Sequence, residues 1–329
     1  MITFEPDSAD ESGVPDSEVR QWQAGEAEHG LRLDKALVLH APEFSRNHLQ
    51  SLIERGCVRV QGQRVETASR KLRMGQSVEV QLLATAESSA FTPQAMPLDI
   101  RFEDDELLVI NKPAGLVVHP AAGHWSGTLL NGLLAHHPAA QTLPRAGIVH
   151  RLDKDTSGLM VVAKTLGCMN ALVQAIAARS VQRIYWALAH GHVQPTEQLI
   201  DAPISRDAAH RIRMAVVASG KPAQTTVRVL GSNGLVSAVE CTLHTGRTHQ
   251  IRVHMAHIGH PLLADSVYGG KAALGLLRQA LHARRLSFVH PVTLQPMSFV
   301  QPLPLDLQSA WEALGMPLDP TEGTGLGAG

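Results

Sequence analysis

The stretch GIVHRLDKDTSGLMVVAK, residues 147–164, joins a polar loop to a strand-like apolar run. Its polar part carries His150, Arg151 and Asp153 within four residues. A carboxylate flanked by potential cations, on a loop between buried elements, is favoured in its ionised form and is a candidate for catalysis. The alternative is a plain turn in which Asp153 or Asp155 caps backbone amides, and the residues alone leave both interpretations open.

The segments on either side of this stretch predict more strands than helices. Two helical patterns stand out, TLLNGLLAHH (128–137) and CMNALVQAIAARS (168–180). Strand-like runs are more numerous and include LLVINKP (107–113), RIYWALAHG (183–191), TTVRVL (225–230), SAVECTLHT (237–245) and LSFVH (286–290). Because strands and helices do not alternate strictly, the pattern predicts an α+β domain over residues 98–311, with a mixed, mostly antiparallel central sheet flanked by helices.

A smaller region over residues 29–83 has its own pattern. Two short helices are predicted in LRLDKALVLHA (31–41) and SRNHLQSLIERG (45–56), the second with Ser45 as its N-cap and Gly56 as its C-terminal stop. A hairpin in VRVQGQRV (58–65) and a strand in SVEVQL (77–82) follow. The region is therefore expected to be a small α+β unit.

Three segments lack such patterns. Residues 1–28 are acidic and interrupted by Pro6 and Pro15, which indicates a flexible extension. Residues 84–97 are small, polar and proline-containing, as is typical of a linker. Residues 312–329 are rich in glycine and are expected to form a flexible tail.

Charge is segregated along the chain, although the 329 residues together carry a formal net charge of only −1. Residues 1–30 carry −7 and residues 312–329 carry −3, whereas residues 31–83 carry +4 and residues 84–311 carry +5. Both regions predicted to fold are basic, which permits a nucleic-acid partner without requiring one.

Composition excludes several classes of protein. An apolar fraction of 44% and a charged fraction of 18% are typical of a globular chain. No run approaches the roughly 18 apolar residues of a membrane helix, and the start, MITFEPDSADE, lacks the blocks of a signal peptide. The cysteines are odd in number and scattered, which argues against a disulfide framework. A cytoplasmic protein without a membrane partner is expected.

A second polar concentration lies in LHTGRTHQIRVHMAHIGHPLLADSVYGG, residues 243–270. Arg247 and Arg252 are fixed cations that can pair with a carboxylate or bind phosphates. The same stretch contains four histidines, His249, His254, His257 and His260. No cysteine is near them and the helical two-histidine zinc signature with its glutamate is absent, so no metal site is predicted.

Other side chains allow either a structural or an RNA-binding interpretation. Tyr185 lies in a strand-like run, where an aromatic ring either packs in the core or stacks on a base. The segment PISRDAAHRIRMAV (203–216) is either an exposed hairpin or an arm that reaches for phosphates. Its arginines are Arg206, Arg211 and Arg213. Around the N-terminal helices and hairpin, Arg46, Arg55 and further bases form either a solvated face or a nucleic-acid surface.

These segments together resemble the pseudouridine synthases of the large-ribosomal-subunit RNA family, in the branch with an S4 RNA-binding domain in front. HRLDKDTSG (150–158), RIYWALAHG (183–191) and TGRTHQIRVHMAHIGHPLLADSVYGG (245–270) stand in the family's order, and the match spans roughly residues 30–305. Within the family the resemblance is closest to enzymes that modify helix 69 of bacterial 23S rRNA. The fold it implies is an S4-like domain followed by a pseudouridine synthase domain.

The resemblance also implies catalytic roles and a reaction without metal or cofactor. Asp153 matches the family's essential aspartate, and Arg252 matches the basic residue that pairs with it. Tyr185 matches the tyrosine that stacks on the flipped uracil and helps to remove its C5 proton. Leu281 corresponds to an apolar residue that packs beneath the site.

For RNA binding, Arg151 matches an arginine that is inserted into the RNA where the target base has left. Arg247 is a further candidate contact. The basic residues proposed for the rest of the RNA surface are Arg46, Arg55, Arg206, Arg211 and Arg213.

The expected partner is 23S rRNA or an assembling large ribosomal subunit, without an obligate protein partner. Two alternatives remain open at this stage. One is a synthase of the same family that acts on tRNA, and the other is a noncatalytic RNA-binding factor for ribosome assembly.

Overall fold

The structure is a computed structural model that describes residues 17–42, 44–83, 88–121, 124–210 and 212–315. The chain divides into two compact units, of which the first ends at Ala90 and the second begins at Phe91. No helix within these ranges is long and apolar enough to cross a membrane.

The first unit has two helices packed on a small antiparallel sheet. Its elements are β1 (Ser17–Gln23), α1 (Leu33–His40), α2 (Arg46–Glu54), β2 (Val58–Val60), β3 (Gln63–Val65) and β4 (Ser77–Leu83). The strand order is β1-β4-β2-β3 within the described part of this unit. Leu37 of α1, Leu49 and Ile53 of α2, and Val58 and Val80 of the sheet are fully buried in one core.

The predicted caps of α2 and the predicted hairpin are confirmed. The Ser45 hydroxyl accepts a hydrogen bond from the His48 backbone N–H at 3.3 Å, and the chain turns away at Gly56 with a φ of 71°. In the hairpin, β2 pairs with β3 in antiparallel register, and Gln61 and Gly62 form the turn with positive φ. These features depend on neighbouring residues only, so their local sequence determines them.

The expected flexible extension over residues 1–28 is wrong from Ser17 onward. Residues 17–23 form β1, which pairs with β4 along its whole length, and Glu26–Glu28 form a 3-10 helix. Trp22 stacks on His40 with 4.1 Å between the ring centres and donates a hydrogen bond to Glu28 at 3.0 Å. The backbone pairing with β4 and the aromatic contact therefore order this segment, although its acidic composition is typical of a flexible one. Residues 1–16 lie outside the described part.

The linker expected over residues 84–97 is shorter than predicted. Residues 84–87 lie outside the described ranges, and Ser88–Phe91 form a 3-10 helix. The Thr92 carbonyl accepts a hydrogen bond from the Asn131 side chain at 2.9 Å, and the Gln94 side chain accepts one from the Gly127 backbone N–H at 2.6 Å. The second half of the segment is therefore bound to the second unit.

The second unit is built on a large sheet. Its elements are β5 (Ile100–Glu103), β6 (Leu107–Lys112), α3 (Leu129–His136), β7 (Ser157–Ala163), α4 (Leu166–Ala177), β8 (Gln182–His190), β9 (Glu197–Asp201), β10 (Ile204–Arg206), β11 (Met214–Val216), β12 (Gln224–Ser232), β13 (Val236–Leu243), α5 (Gln250–His257), β14 (Leu281–Val289), β15 (Pro296–Val300) and α6 (Leu305–Glu312). Of the expected tail over residues 312–329, the part beyond Gly315 lies outside the described residues.

The predicted mixed, mostly antiparallel sheet is confirmed. In the described residues it has nine strands in the order β5-β6-β7-β14-β8-β13-β12-β9, with β15 paired to the side of β14. Among the strands of the described ranges, β7 and β14 are the one pair that runs parallel. The hairpin predicted in residues 203–216 is present as β10 and β11, which form a separate antiparallel pair. The loop before β7, strand β8 and the start of α5 carry the side chains of the candidate site.

Candidate active site

Asp153 lies on the loop that leads into β7, where backbone contacts fix its position. The Lys112 ammonium is buried and donates hydrogen bonds to the carbonyls of Pro113, Leu116 and Lys154 at 2.8 to 2.9 Å. Burial lowers the pKa of Lys112 to about 7, although nearby carboxylates oppose this effect. The Asp153 carbonyl accepts a hydrogen bond from the Thr156 N–H at 3.1 Å, which closes the turn before the strand.

The predicted ion pair between Asp153 and Arg252 is present. Arg252 lies in the first turn of α5 and donates from Nη1 to Oδ2 of Asp153 at 3.0 Å. The Arg252 side chain is 6% exposed and that of Asp153 is 17% exposed, so the pair is largely removed from solvent. The guanidinium therefore holds the Asp153 carboxylate in a fixed direction.

Arg252 is held from its other side by two residues that follow α5. Its Nε and Nη2 donate to the two oxygens of buried Asp265 at 2.7 and 2.8 Å, and its Cζ lies 5.0 Å from the ring centre of Tyr268. Burial alone would lower the pKa of Arg252, but the hydrogen bonds and charges of Asp265 and Asp153 raise it above its ordinary range. The cation is therefore permanent and fixed in direction.

His249 completes this polar cluster. It has left-handed backbone angles at the N-terminus of α5, with a φ of 57°. The Tyr268 hydroxyl accepts a hydrogen bond from the Met214 N–H at 2.9 Å and shares a second hydrogen bond with Nδ1 of His249, which lies 2.8 Å away. Nε2 of His249 lies 3.9 Å from Oδ1 of Asp153. Burial lowers the pKa of His249, which favours the neutral imidazole.

Tyr185 and Asp153 line one cavity of about 530 Å³. Tyr185 extends from β8, is 5% exposed, and has its pKa raised to about 12, mainly by burial. Its phenol is therefore neutral at physiological pH. Leu281 of β14 lies with Asp153 and Tyr185 around a smaller adjoining pocket, which agrees with the position that the family resemblance implies for it.

The predicted RNA-binding arginines occupy different places. Arg151 and Arg247 are exposed and line the large cavity, and Arg247 also donates from Nε to the Pro222 carbonyl at 3.1 Å. Arg206 is exposed on β10, and Arg213 lies with its Cζ 5.4 Å from the ring centre of Tyr268. Arg211 lies outside the described residues.

The two arginines predicted in the first unit differ in their surroundings. Arg46 donates from Nη2 and Nε to Asp34 at 2.7 and 3.1 Å, and Asp34 is also bound by Arg32 and Gln50. Its guanidinium is therefore ordered by the protein itself. Arg55 is exposed at the end of α2.

Sequence reasoning missed four residues of this region: Arg183, His249 as a neighbour of Asp153, Asp265 and Tyr268. The acid and the aromatic ring in the otherwise small and apolar run LLADSVYGG were the available signal for the last two. Two further histidines of this stretch, His254 and His260, form hydrogen bonds with protein groups. His254 contacts the Thr225 hydroxyl and the Ala202 carbonyl, each at 2.9 Å. Among the described residues, no group of three or more His, Cys, Asp or Glu side chains could hold a metal ion.

Comparison with protein families gives two matches. A family model described as RNA pseudouridylate synthase matches residues 106–257, which contain Asp153, Tyr185 and Arg252. An S4 domain model matches residues 31–78 in the first unit.

Several proteins of known identity resemble the chain over most of its length. Ribosomal large subunit pseudouridine synthase D of Neisseria meningitidis serogroup B is 51% identical over 290 residues, which are 84% of this chain and 77% of that protein. The protein of the same name from Xanthomonas campestris pv. campestris is 45% identical over 322 residues, covering 93% of this chain and 96% of the relative. A solved structure, human RNA pseudouridylate synthase domain containing 4, aligns with a TM-score of 0.54 and 27% identity over 66% of this chain and 93% of its own.

Proposed function

Since this chain belongs to the RNA pseudouridylate synthase family, we propose that it converts specific uridines of 23S rRNA, those of helix 69, into pseudouridine. The names of its most similar relatives support the large-subunit target, and the S4 domain supports an RNA partner. The observation that carries the proposal is the Asp153 carboxylate, which is paired with buried Arg252 beside Tyr185 at one cavity.

Asp153 is the residue to which we assign the chemical step. Conversion of uridine to pseudouridine breaks the N1–C1′ bond, turns the uracil, and joins C5 to C1′, with no net redox change. An ionised carboxylate can attack the sugar, attack the base, or remove a ribose proton, and each route needs the negative charge that Arg252 stabilises.

Tyr185 and Arg151 are assigned to the flipped nucleotide. A stacked base is out of reach, so the target must leave the RNA helix at a cost of about a few kcal/mol. Stacking on the neutral Tyr185 ring offsets part of this cost. Arg151 is exposed at the cavity and is suited to fill the space left in the RNA. Tyr185 is also assigned to assist removal of the C5 proton.

The wider RNA surface is assigned to further arginines of both units. Arg247 lies at the cavity. The further assigned contacts are Arg46, Arg55, Arg206, Arg211 and Arg213. Phosphate contacts of this kind fix the register of the RNA and carry little sequence information. The substrate is proposed to be 23S rRNA, free or in an assembling large subunit in the cytoplasm.

The proposal is tested by mapping pseudouridine after incubation of the enzyme with a helix-69 transcript. We expect the wild type to modify it and Asp153→Asn to lower the rate about a thousandfold or more, with RNA affinity retained. Asp155→Asn is the matched control because it makes the same change two residues away, outside the 530 Å³ cavity, and it should retain turnover. Equal activity of wild type and Asp153→Asn would contradict the assignment.

The target is tested separately in a deletion strain. Pseudouridines are mapped in total rRNA and tRNA, and we expect loss at helix 69 of 23S rRNA only. Loss in tRNA would instead identify a tRNA enzyme of the same family. If the Asp153→Asn variant corrects a growth defect of the deletion strain while no pseudouridine is formed, the cellular role is that of a noncatalytic assembly factor.

A further inference from the structure

The charged residues that line the 530 Å³ cavity are mainly cations. Five arginines contribute to its wall, and among the lining residues, all of which are described, Asp153 is the only carboxylate. The arginines are Arg145, Arg151, Arg179, Arg183 and Arg247. A concave surface with this charge pattern attracts a polyanion.

Arg183 differs from the other arginines in burial and in partners. It is 5% exposed, and its buried Nε has no hydrogen-bond partner among the described residues. Within the same part of the chain its guanidinium forms no ion pair with a carboxylate. By contrast, Arg179 is exposed and donates to the Gln224 side chain at 2.8 Å. A buried cation without a partner is costly, so a ligand that supplies the missing anion would bind strongly there.

The position of Arg183 on β8 relates it to the reacting nucleotide. Arg183 and Tyr185 are two residues apart in one strand, so both side chains project to the same face, about 6.6 Å apart along the strand. Both line the cavity that Asp153 also lines. A nucleotide whose base stacks on Tyr185 and whose sugar meets Asp153 has a backbone phosphate as its next anionic group.

Gly246 leaves room for the guanidinium. A Cβ atom at this position would lie 2.8 Å from Nη1 of Arg183, and no other side chain or backbone atom comes closer than the Arg183 guanidinium. Substitution by alanine therefore displaces the end of a flexible side chain rather than the backbone. This provides a way to move the Arg183 cation without removing its charge.

We propose that Arg183 binds a backbone phosphate that flanks the target uridine and thereby positions the flipped nucleotide. The inference deepens the proposed function, because it rests on the assignment of Tyr185 and Asp153 to the same nucleotide. The planar guanidinium of arginine suits a phosphate, to which it can donate two parallel hydrogen bonds.

The test uses the full-length enzyme and an RNA in which the wild type forms pseudouridine. We compare Arg183→Met, Arg183→Lys and Gly246→Ala by kcat and KM at several salt concentrations. Arg183→Met should raise KM about tenfold or more, as expected for loss of a hydrogen bond to a charged group. It should also lower the slope of log KM against log salt by about 0.7, the value for one phosphate on a single strand. Arg183→Lys should keep the slope.

A substrate with one neutral methylphosphonate linkage, placed on the 5′ or the 3′ side of the target uridine, identifies the group that Arg183 binds. One of the two substitutions should raise KM for the wild type and have no further effect on Arg183→Met. Gly246→Ala should raise KM in the wild type and leave it unchanged in Arg183→Met. Arg285→Met, which removes an exposed arginine outside the cavity, is the control and should leave both constants unchanged.

Two results would overturn the proposal. If each methylphosphonate raises KM for Arg183→Met by the same factor as for the wild type, Arg183 does not bind either phosphate. Its guanidinium then binds the uracil or has a structural role. If Arg183→Met changes kcat alone with an unchanged salt slope, no phosphate contact has been lost. If helix 69 is not the target, the same measurements are made on the RNA identified by mapping, so failure of the target does not affect the test of Arg183.

Discussion

At the scale of single residues, Arg252 carries the electrostatics of the site. It lies between the partly buried Asp153 and the fully buried Asp265. Two of its three guanidinium nitrogens donate hydrogen bonds to Asp265 and the third donates to Asp153. One nitrogen, Nη1, therefore remains for Asp153 in a fixed direction. Because the guanidinium is already fixed before the substrate binds, no free energy is needed to order it during the reaction.

Replacement of Asp265 by asparagine tests this arrangement. Asp265→Asn keeps the shape of the side chain but leaves Arg252 without its buried counter-charge. We expect the free energy of unfolding to fall by about 3 kcal/mol and kcat to fall about a hundredfold, because Arg252 then shifts relative to Asp153. Thermal unfolding and single-turnover rates measure the two effects.

A matched control is Glu79→Gln in the first unit, where the carboxylate is 41% exposed and lies 3.8 Å from Arg59. Loss of an exposed pair should change stability by less than about 1 kcal/mol. If Asp265→Asn resembles this control in both stability and kcat, Asp265 does not position Arg252.

The two tyrosines allow a prediction on pH. Burial raises the pKa of Tyr268, and it raises that of Tyr185 from 10.0 to about 12. Between pH 10.0 and about 12, Tyr185 loses its proton in the unfolded chain but keeps it in the folded protein. The free energy of unfolding therefore falls as the pH rises through this range. Phenolate absorbance should therefore stay low at pH 10 until the protein unfolds. In Tyr185→Phe the loss of stability over this range should be smaller, and an equal loss would contradict the burial of this phenol.

The sequence predicted only part of this site, for a physical reason. The resemblance located Asp153, Tyr185 and Arg252 because each lies within a motif that can be compared letter by letter. Asp265 is separated from Arg252 by the rest of α5 and a loop, and only the folded chain brings the two together. Arg183 was missed because its importance comes from burial without a partner, which no linear pattern records.

At the scale of secondary structure, α2 depends on local sequence, whereas β1 depends on contact with a distant part of the chain. The ends of α2 follow from Ser45 and Gly56, which act on their immediate neighbours. Strand β1 has only two large apolar residues, Val19 and Trp22, and exists through its pairing with β4, more than fifty residues further along the chain. Local patterns therefore predicted α2, whereas the pairing of β1 required the tertiary structure.

The parallel pair of β7 and β14 allows a prediction at this scale. Gly158 in β7 has a φ of 116°, and a Cβ atom there would lie 2.3 Å from the Ala283 carbonyl of β14. Both the backbone angle and the close neighbour exclude a larger residue, so Gly158→Ala should lower the free energy of unfolding by at least about 2 kcal/mol. Denaturant titration measures the change.

Gly167 provides the control for this substitution. It lies in α4, without an atom near its added Cβ and without a positive φ. Gly167→Ala should stabilise the protein by about 0.5–1 kcal/mol, since alanine favours a helix over glycine. Equal effects of the two substitutions would show that β7 and β14 are not in close contact at Gly158.

At the scale of the whole molecule, the net charge of −1 is an average over unlike parts. The regions of residues 31–83 and 84–311 carry +4 and +5, and the acids are concentrated towards the two ends of the chain. Because β1 begins at Ser17, part of the acidic N-terminal segment belongs to the folded first unit. The remainder, residues 1–16, contains five acids and no base.

This distribution predicts that the first unit contributes RNA affinity and salt dependence but no chemistry. Arg55, Lys71 and Arg73 are exposed bases of this unit. Their joint replacement by glutamine should raise KM and lower the slope of log KM against log salt by up to about 2.1–2.7, since each of the three phosphate contacts accounts for about 0.7–0.9. At saturating RNA, kcat should stay unchanged because Asp153, Tyr185 and Arg252 all belong to the second unit.

Neutralisation of two exposed acids of the same unit, Glu54 and Glu66, separates this effect from a general response to mutation. Their replacement by glutamine removes repulsion of the RNA backbone, so KM should fall slightly and the salt slope should not decrease. If the triple variant keeps the wild-type slope, the basic surface of the first unit does not contact phosphates. The salt dependence of KM would then arise from the arginines of the cavity. The change of slope in Arg183→Met measures how much of that dependence comes from one phosphate contact.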